Sequence, residues 1–132
     1  MKSFLGSVLL CFVGLLNLNA LAQSTGQVYE LRTYTAVPGR LPDVIQRFNV
    51  ETRKYFDKYN IKSIGYWTPI DKPNTLIYIV AHPSKEEAAK NWAAFGADPG
   101  WQAARTASMT NGPIIEKTES VFMEPTSFSP LK

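Results

Sequence analysis

The sequence predicts an α+β fold, a ferredoxin-like β-α-β-β-α-β sandwich. Three observations carry that expectation. Apolar spacing alternates between a period of two and a period of three to four, in that element order. Both helical stretches begin on capping or first-turn signals. A turn of four strong turn formers, Asp71-Lys72-Pro73-Asn74, joins the two middle strands.

The first strand is expected over Gln27–Thr35, where Tyr29, Leu31 and Thr33 face one way and Val28, Glu30, Arg32 and Tyr34 the other. Pro38-Gly39 breaks it. From Leu41 the period lengthens, and Leu41, Val44, Ile45, Phe48, Tyr55, Phe56 and Tyr59 form the stripe of an amphipathic helix. Pro42 and Asp43 suit its first turn and Asn60 its end. The stretch "IKSIGYWTP", Ile61–Pro69, reads as a second strand and "TLIYIVAH" as a third, paired in a hairpin. Ser84 with Glu87 makes a capping box for a second helix, whose buried side is Ala88, Ala89, Trp92, Ala93 and Phe95. Gly96 is expected to interrupt that helix and Asp98-Pro99 to restart it, with Trp101, Ala104 and Ala107 inward. Ile114–Met123 is the fourth strand, and the Pro/Ser-rich residues 125–132 are expected to be a flexible tail.

The chain is expected to begin with a leader. A single early charge, Lys2, precedes an apolar run from Phe4 to Leu16 that ends in Ala20-Leu21-Ala22. This is the pattern of a cleaved signal peptide over residues 1–22. The run is too short for a stable membrane span. The expected destination is the periplasm or the exterior. Residues 23–124 are then one domain of ordinary size. The one cysteine, Cys11, leaves with the leader, so the mature chain has no disulfide and no thiol chemistry. A formal charge of +3 with interspersed signs offers no phosphate-tracking run, which argues against nucleic acid.

The middle strands are apolar on both sides: Leu76, Tyr78 and Val80 against Ile77, Ile79 and Ala81, and Ile64 and Tyr66 against Ile61, Gly65 and Trp67. Such strands are expected to be covered on both faces, and two helices cover only one. A second copy packed sheet to sheet is the expected cover, so a homodimer is expected. A groove for a large apolar ligand or another protein is the alternative.

Four stretches then resemble one family. "VYELRTYTAVPGR", "IGYWTP", "NTLIYIVAHPSKEEAA" and "ADPGWQAA" are similar, in order, to conserved segments of NIPSNAP domains. The resemblance spans Val28 to about Glu124. It implies a dimeric α+β barrel with a cavity beside or between the sheets. It also implies kinship in fold with cofactor-free monooxygenases, haem-degrading enzymes and isomerase- or dehalogenase-like proteins. The family has no agreed reaction. Tyr78 and Val80 stand where the family commonly has His and Trp, and Ala88 where it commonly has a basic residue.

Candidate site residues follow from chemistry. Glu30 and Arg32 share a strand face and could bind a polar head or move a proton; an ion pair that sets register is the competing role. With the apolar Leu31 face expected under the helices, Glu30, Arg32 and Tyr34 are expected between the two sheets. His82 is the only histidine, a candidate acid-base group or axial haem ligand, or a plain surface residue. Tyr34, Tyr66, Trp67 and Tyr78 could line a pocket for a small, partly apolar molecule, or be core. One histidine without cysteine argues against a structural metal. No cofactor is required by any of these readings. A non-catalytic binding module is the alternative to an enzyme.

Overall fold

The computed structural model describes residues 26–132. The expected leader lies outside them. The elements are β1 (Val28–Ala36), α1 (Leu41–Arg47), a π-helical turn (Phe48–Thr52), α2 (Arg53–Lys58), β2 (Lys62–Trp67), β3 (Thr75–His82), α3 (Lys85–Ala97), α4 (Pro99–Ala107) and β4 (Ile115–Met123). The four strands form one antiparallel sheet in the order β2-β3-β1-β4, and the predicted α+β class and element order hold.

Gly39 takes φ +80° in the turn after β1, a conformation that suits glycine. Asn74 ties that turn to the β2–β3 hairpin: its carbonyl accepts from the Ala36 amide at 2.7 Å and its side chain from the Gly39 amide at 3.2 Å. The Ser84 hydroxyl accepts the Glu87 amide at 3.1 Å and starts α3. That helix runs through Gly96 to Ala97, because no positive φ or packing demand falls at Gly96. The break comes instead at Asp98. Its extended backbone ends α3 and its carboxylate accepts the Trp101 amide of α4 at 2.9 Å. Ala89 and Ala93, expected inward on α3, are exposed.

The first long helix is not uniform. Its apolar stripe lacks a member between Phe48 and Tyr55, where Glu51 and Thr52 stand. The π turn fills this gap, burying Thr52, whose hydroxyl donates to the Arg47 carbonyl at 3.3 Å.

The expected facing of β1 is reversed. The helices cover the Glu30, Arg32 and Tyr34 side; Leu31 lies on the other. Register explains it. Glu30 pairs with Val80, Arg32 with Tyr78 and Tyr34 with Leu76, and antiparallel partners share a face. Leu76, Tyr78 and Val80 are buried with Val44, Phe48, Phe56, Phe95 and Trp101 in the core under the helices. Phe48 and Phe56 meet Tyr78 at ring separations of 5.2 and 6.0 Å. The inward face of β3 takes the inward face of β1 with it.

The opposite face carries Leu31, Thr33, Ile77, Ile79 and Val121, with no helix over it. Trp67 is 50% exposed there, and its indole lies across Gly65, where a Cβ would collide with it. At one end the chain terminus bends back: the Tyr29 hydroxyl donates to the Lys132 carbonyl at 3.0 Å, and Tyr29, Ile79, Met123 and Leu131 border a recess of about 280 Å³. No helix of the described residues is long and apolar enough to cross a membrane.

Candidate functional site

Glu30 is the hub. It is 1% exposed, and each carboxylate oxygen accepts two hydrogen bonds. Oε1 receives Arg32 Nη1 at 2.6 Å and the Ser120 hydroxyl at 2.6 Å. Oε2 receives the Trp92 indole N–H at 2.6 Å and His82 Nε2 at 3.1 Å. Three strands and one helix thus converge on one carboxylate: Arg32 is on β1, Ser120 on β4, His82 on β3 and Trp92 on α3.

Burial alone would raise the Glu30 pKa. The donors from His82, Ser120 and Trp92 and the charge of Arg32 overcome it and hold the group at about 2. Glu30 is therefore an anion at neutral pH with every lone-pair direction occupied. It orients its neighbours and is a poor proton acceptor. Because the carboxylate only accepts, His82 donates to it through Nε2–H. The ring is sealed, and Nδ1 has no partner.

Arg32 is the member that reaches outward. Burial disfavours its charge, but the nearby Tyr78 and Tyr34 oxygens and Glu30 more than offset this and raise its pKa. The guanidinium lies 4.4 Å from the centre of the Trp92 ring and 5.9 Å from that of Tyr34. Its side chain is 18% exposed, and Nε has no partner. Beyond it lies β4, where Ser120 and Thr118, in register with Arg32 and Tyr34, are exposed. The helices leave that flank uncovered.

Sequence reasoning therefore named three residues that the structure joins, Glu30, Arg32 and His82, and missed Ser120 and Trp92. On the sequence Trp92 reads only as a member of the buried side of α3. Its place on the buried stripe of α3 was the available signal, but its partner lies 62 residues away. The tyrosines share the helix side. Tyr78 donates to the Tyr34 hydroxyl at 3.0 Å and stacks on Tyr66 at 5.6 Å. Tyr78 is fully buried, and burial pushes its hydroxyl pKa well up. The Tyr66 hydroxyl lies 2.6 Å from that of Ser63, and Tyr66 borders a recess of about 110 Å³ with Phe48, Asn49 and Arg53. Trp67 is on the opposite face and shares nothing with them. No group of three or more His, Cys, Asp or Glu side chains among the described residues could hold a metal ion.

The NIPSNAP family profile matches residues 29–130. The chain belongs to the NIPSNAP family. Solved structures agree. A NIPSNAP family protein of unknown function from Agrobacterium tumefaciens is 27% identical with a TM-score of 0.72, over 83% of this chain and 96% of that one. An uncharacterized NIPSNAP-like domain protein from Burkholderia xenovorans is 24% identical with a TM-score of 0.71, over 82% and 93%. A cofactor-independent oxygenase from Streptomyces nogalater, 16% identical with a TM-score of 0.50 over 79% and 97%, is similar in fold alone. No curated protein is a significant match. The matched segment takes in all five members of the Glu30 network.

Proposed function

We propose that this NIPSNAP chain is an exported homodimeric binding module for a small, partly apolar molecule, held at the helix-side flank beside Arg32. The observation that carries the reading is the state of Arg32. It is pinned by Glu30 through Nη1, stacked on Trp92 and partly exposed, and Glu30 is its one hydrogen-bond partner among the described residues. A fixed guanidinium between an indole and a phenol suits a ligand with an electron-rich oxygen on a flat apolar body. Tyr34 and Trp92 would be the walls, and Ser120 and Thr118 the rim. Binding is favoured over acid-base catalysis because Glu30 is saturated and His82 is sealed. Haem is not part of the reading: His82 Nε2 is committed to Glu30, and Nδ1 is buried. The uncovered apolar sheet face supports the dimer, and the leader pattern supports export.

The test is ligand capture. Mature dimer is purified from the exported fraction, analysed by native mass spectrometry, and any released molecule is identified. Wild type should carry a small aromatic or unsaturated oxygen compound, and Arg32→Met should lose it while remaining dimeric. Turnover of the captured compound, abolished by His82→Ala with the dimer intact, would replace binding with catalysis.

A further inference from the structure

A second cation sits elsewhere in the helix layer, outside the Glu30 network. Arg47, the last residue of α1, is 7% exposed. Its Nη1 donates to the Ser108 hydroxyl at 3.3 Å, a long contact. Its Nε is buried without a partner, and among the described residues no carboxylate lies within ion-pair distance of it. One face rests against Trp101, 5.5 Å from the ring centre. Burial lowers its pKa; the Tyr34 and Tyr78 oxygens partly offset this, and Arg105 adds to it. A buried guanidinium without a counter-charge is costly, and folded chains ordinarily supply an anion for one.

The space for an anion is present. Arg47 and Ser108 help to line a groove of about 320 Å³ between α1 with its π turn and the last turns of α4. Val50, Ala104 and Ala107 give it apolar walls. Asp43 and Glu51 stand at its border, but each is engaged, Asp43 with Arg40 and Glu51 with Lys54 at 3.6 Å. The π turn widens the helix at Val50 and Glu51, and such turns are frequent at functional sites.

We infer that this groove is a binding site for a small organic monocarboxylate with a short apolar body, whose carboxylate pairs with Arg47 and accepts from Ser108. Two carboxylate oxygens match the planar guanidinium and give it the missing counter-charge. The methyl-rich walls take the body. The site is independent of the Arg32 flank and of whatever binds there.

The experiment is a titration of the full mature protein with sodium benzoate, followed by the arginine Nε–H and backbone amide NMR signals, with benzamide as the neutral control. Benzoate at up to about 10 mM, the range one charge-assisted pair supports, should shift Arg47 Nε–H and the amides of Ala104, Ala107 and Ser108 saturably. Benzamide should not. Arg47→Lys should weaken binding about tenfold, since it keeps the charge and loses the fork. Arg47→Met should abolish it. Should Arg47→Met fail to fold, Ala107→Trp fills the groove from an exposed position and should block binding with the fold intact. Equal shifts from benzoate and benzamide, undiminished binding in a folded Arg47→Met or Ala107→Trp protein, or tighter binding of inorganic phosphate than of benzoate would overturn the assignment.

Discussion

Glu30 and Leu31 are consecutive residues on opposite faces of one strand, and the charged one is the better buried. Glu30 is sealed under the helices; Leu31 is only half-buried on the face that no helix covers. Polarity alone does not decide which face turns inward. What decides is whether the buried group finds partners. Glu30 finds four, two of them from β3 and α3. The apolar face carries no such network of buried partners. One face is closed by hydrogen bonds made within the chain; over the other no helix lies.

The sharpest way to break this contrast is Glu30→Ala. Four donors lose their acceptor and the half-buried Arg32 loses its counter-charge, so unfolding free energy should fall by about 3 to 5 kcal/mol in urea titration. A loss under about 1 kcal/mol would mean that the network contributes little. Acid tests the same carboxylate without mutation. Its pKa is about 2 when folded against an ordinary 4.5, so the folded form binds its proton less readily. The stabilisation is present above pH 4.5 and is lost as pH falls towards 2. At full protonation the loss is about 3 kcal/mol. Urea midpoints measured across that window should fall in wild type and flatten in Glu30→Gln; parallel curves would assign the acid loss to other groups. The uncovered face should respond in the opposite sense. Val121→Lys, at a site 56% exposed, should change the stability of the fold by no more than about 0.5 kcal/mol, yet convert the proposed dimer to monomers in sedimentation. A dimer that survives both Val121→Lys and Ile79→Asp uses another surface.

The element order was legible in the sequence because each element carries its own period and its own stop signals. The capping at Ser84 and Asp98 was legible for the same reason: a cap is decided within three residues. The facing of β1 was not, since both its sides mix polar and apolar residues and the deciding partners arrive from β3 and α3. Glu30, Arg32 and His82 could be picked out by residue type, but their joining depends on a register that pairs Val28 with His82. Arg47 was overlooked although it lies three residues after Val44, on the flank of the buried stripe. A basic residue at an inward spacing was the signal there. The π turn left a quieter trace, the missing apolar residue between Phe48 and Tyr55.

The saturated carboxylate at Glu30 also constrains how the chain can change over generations. Arg32, His82, Trp92 and Ser120 each supply one of its four bonds. Replacing any one of them by an apolar residue removes a bond from a buried carboxylate, and replacing Glu30 takes the acceptor from all four donors at once. Drift at these five positions should therefore proceed in concert. A lineage that abandons the carboxylate must exchange the whole set, and its descendants will carry a different inner lining rather than a damaged copy of this one.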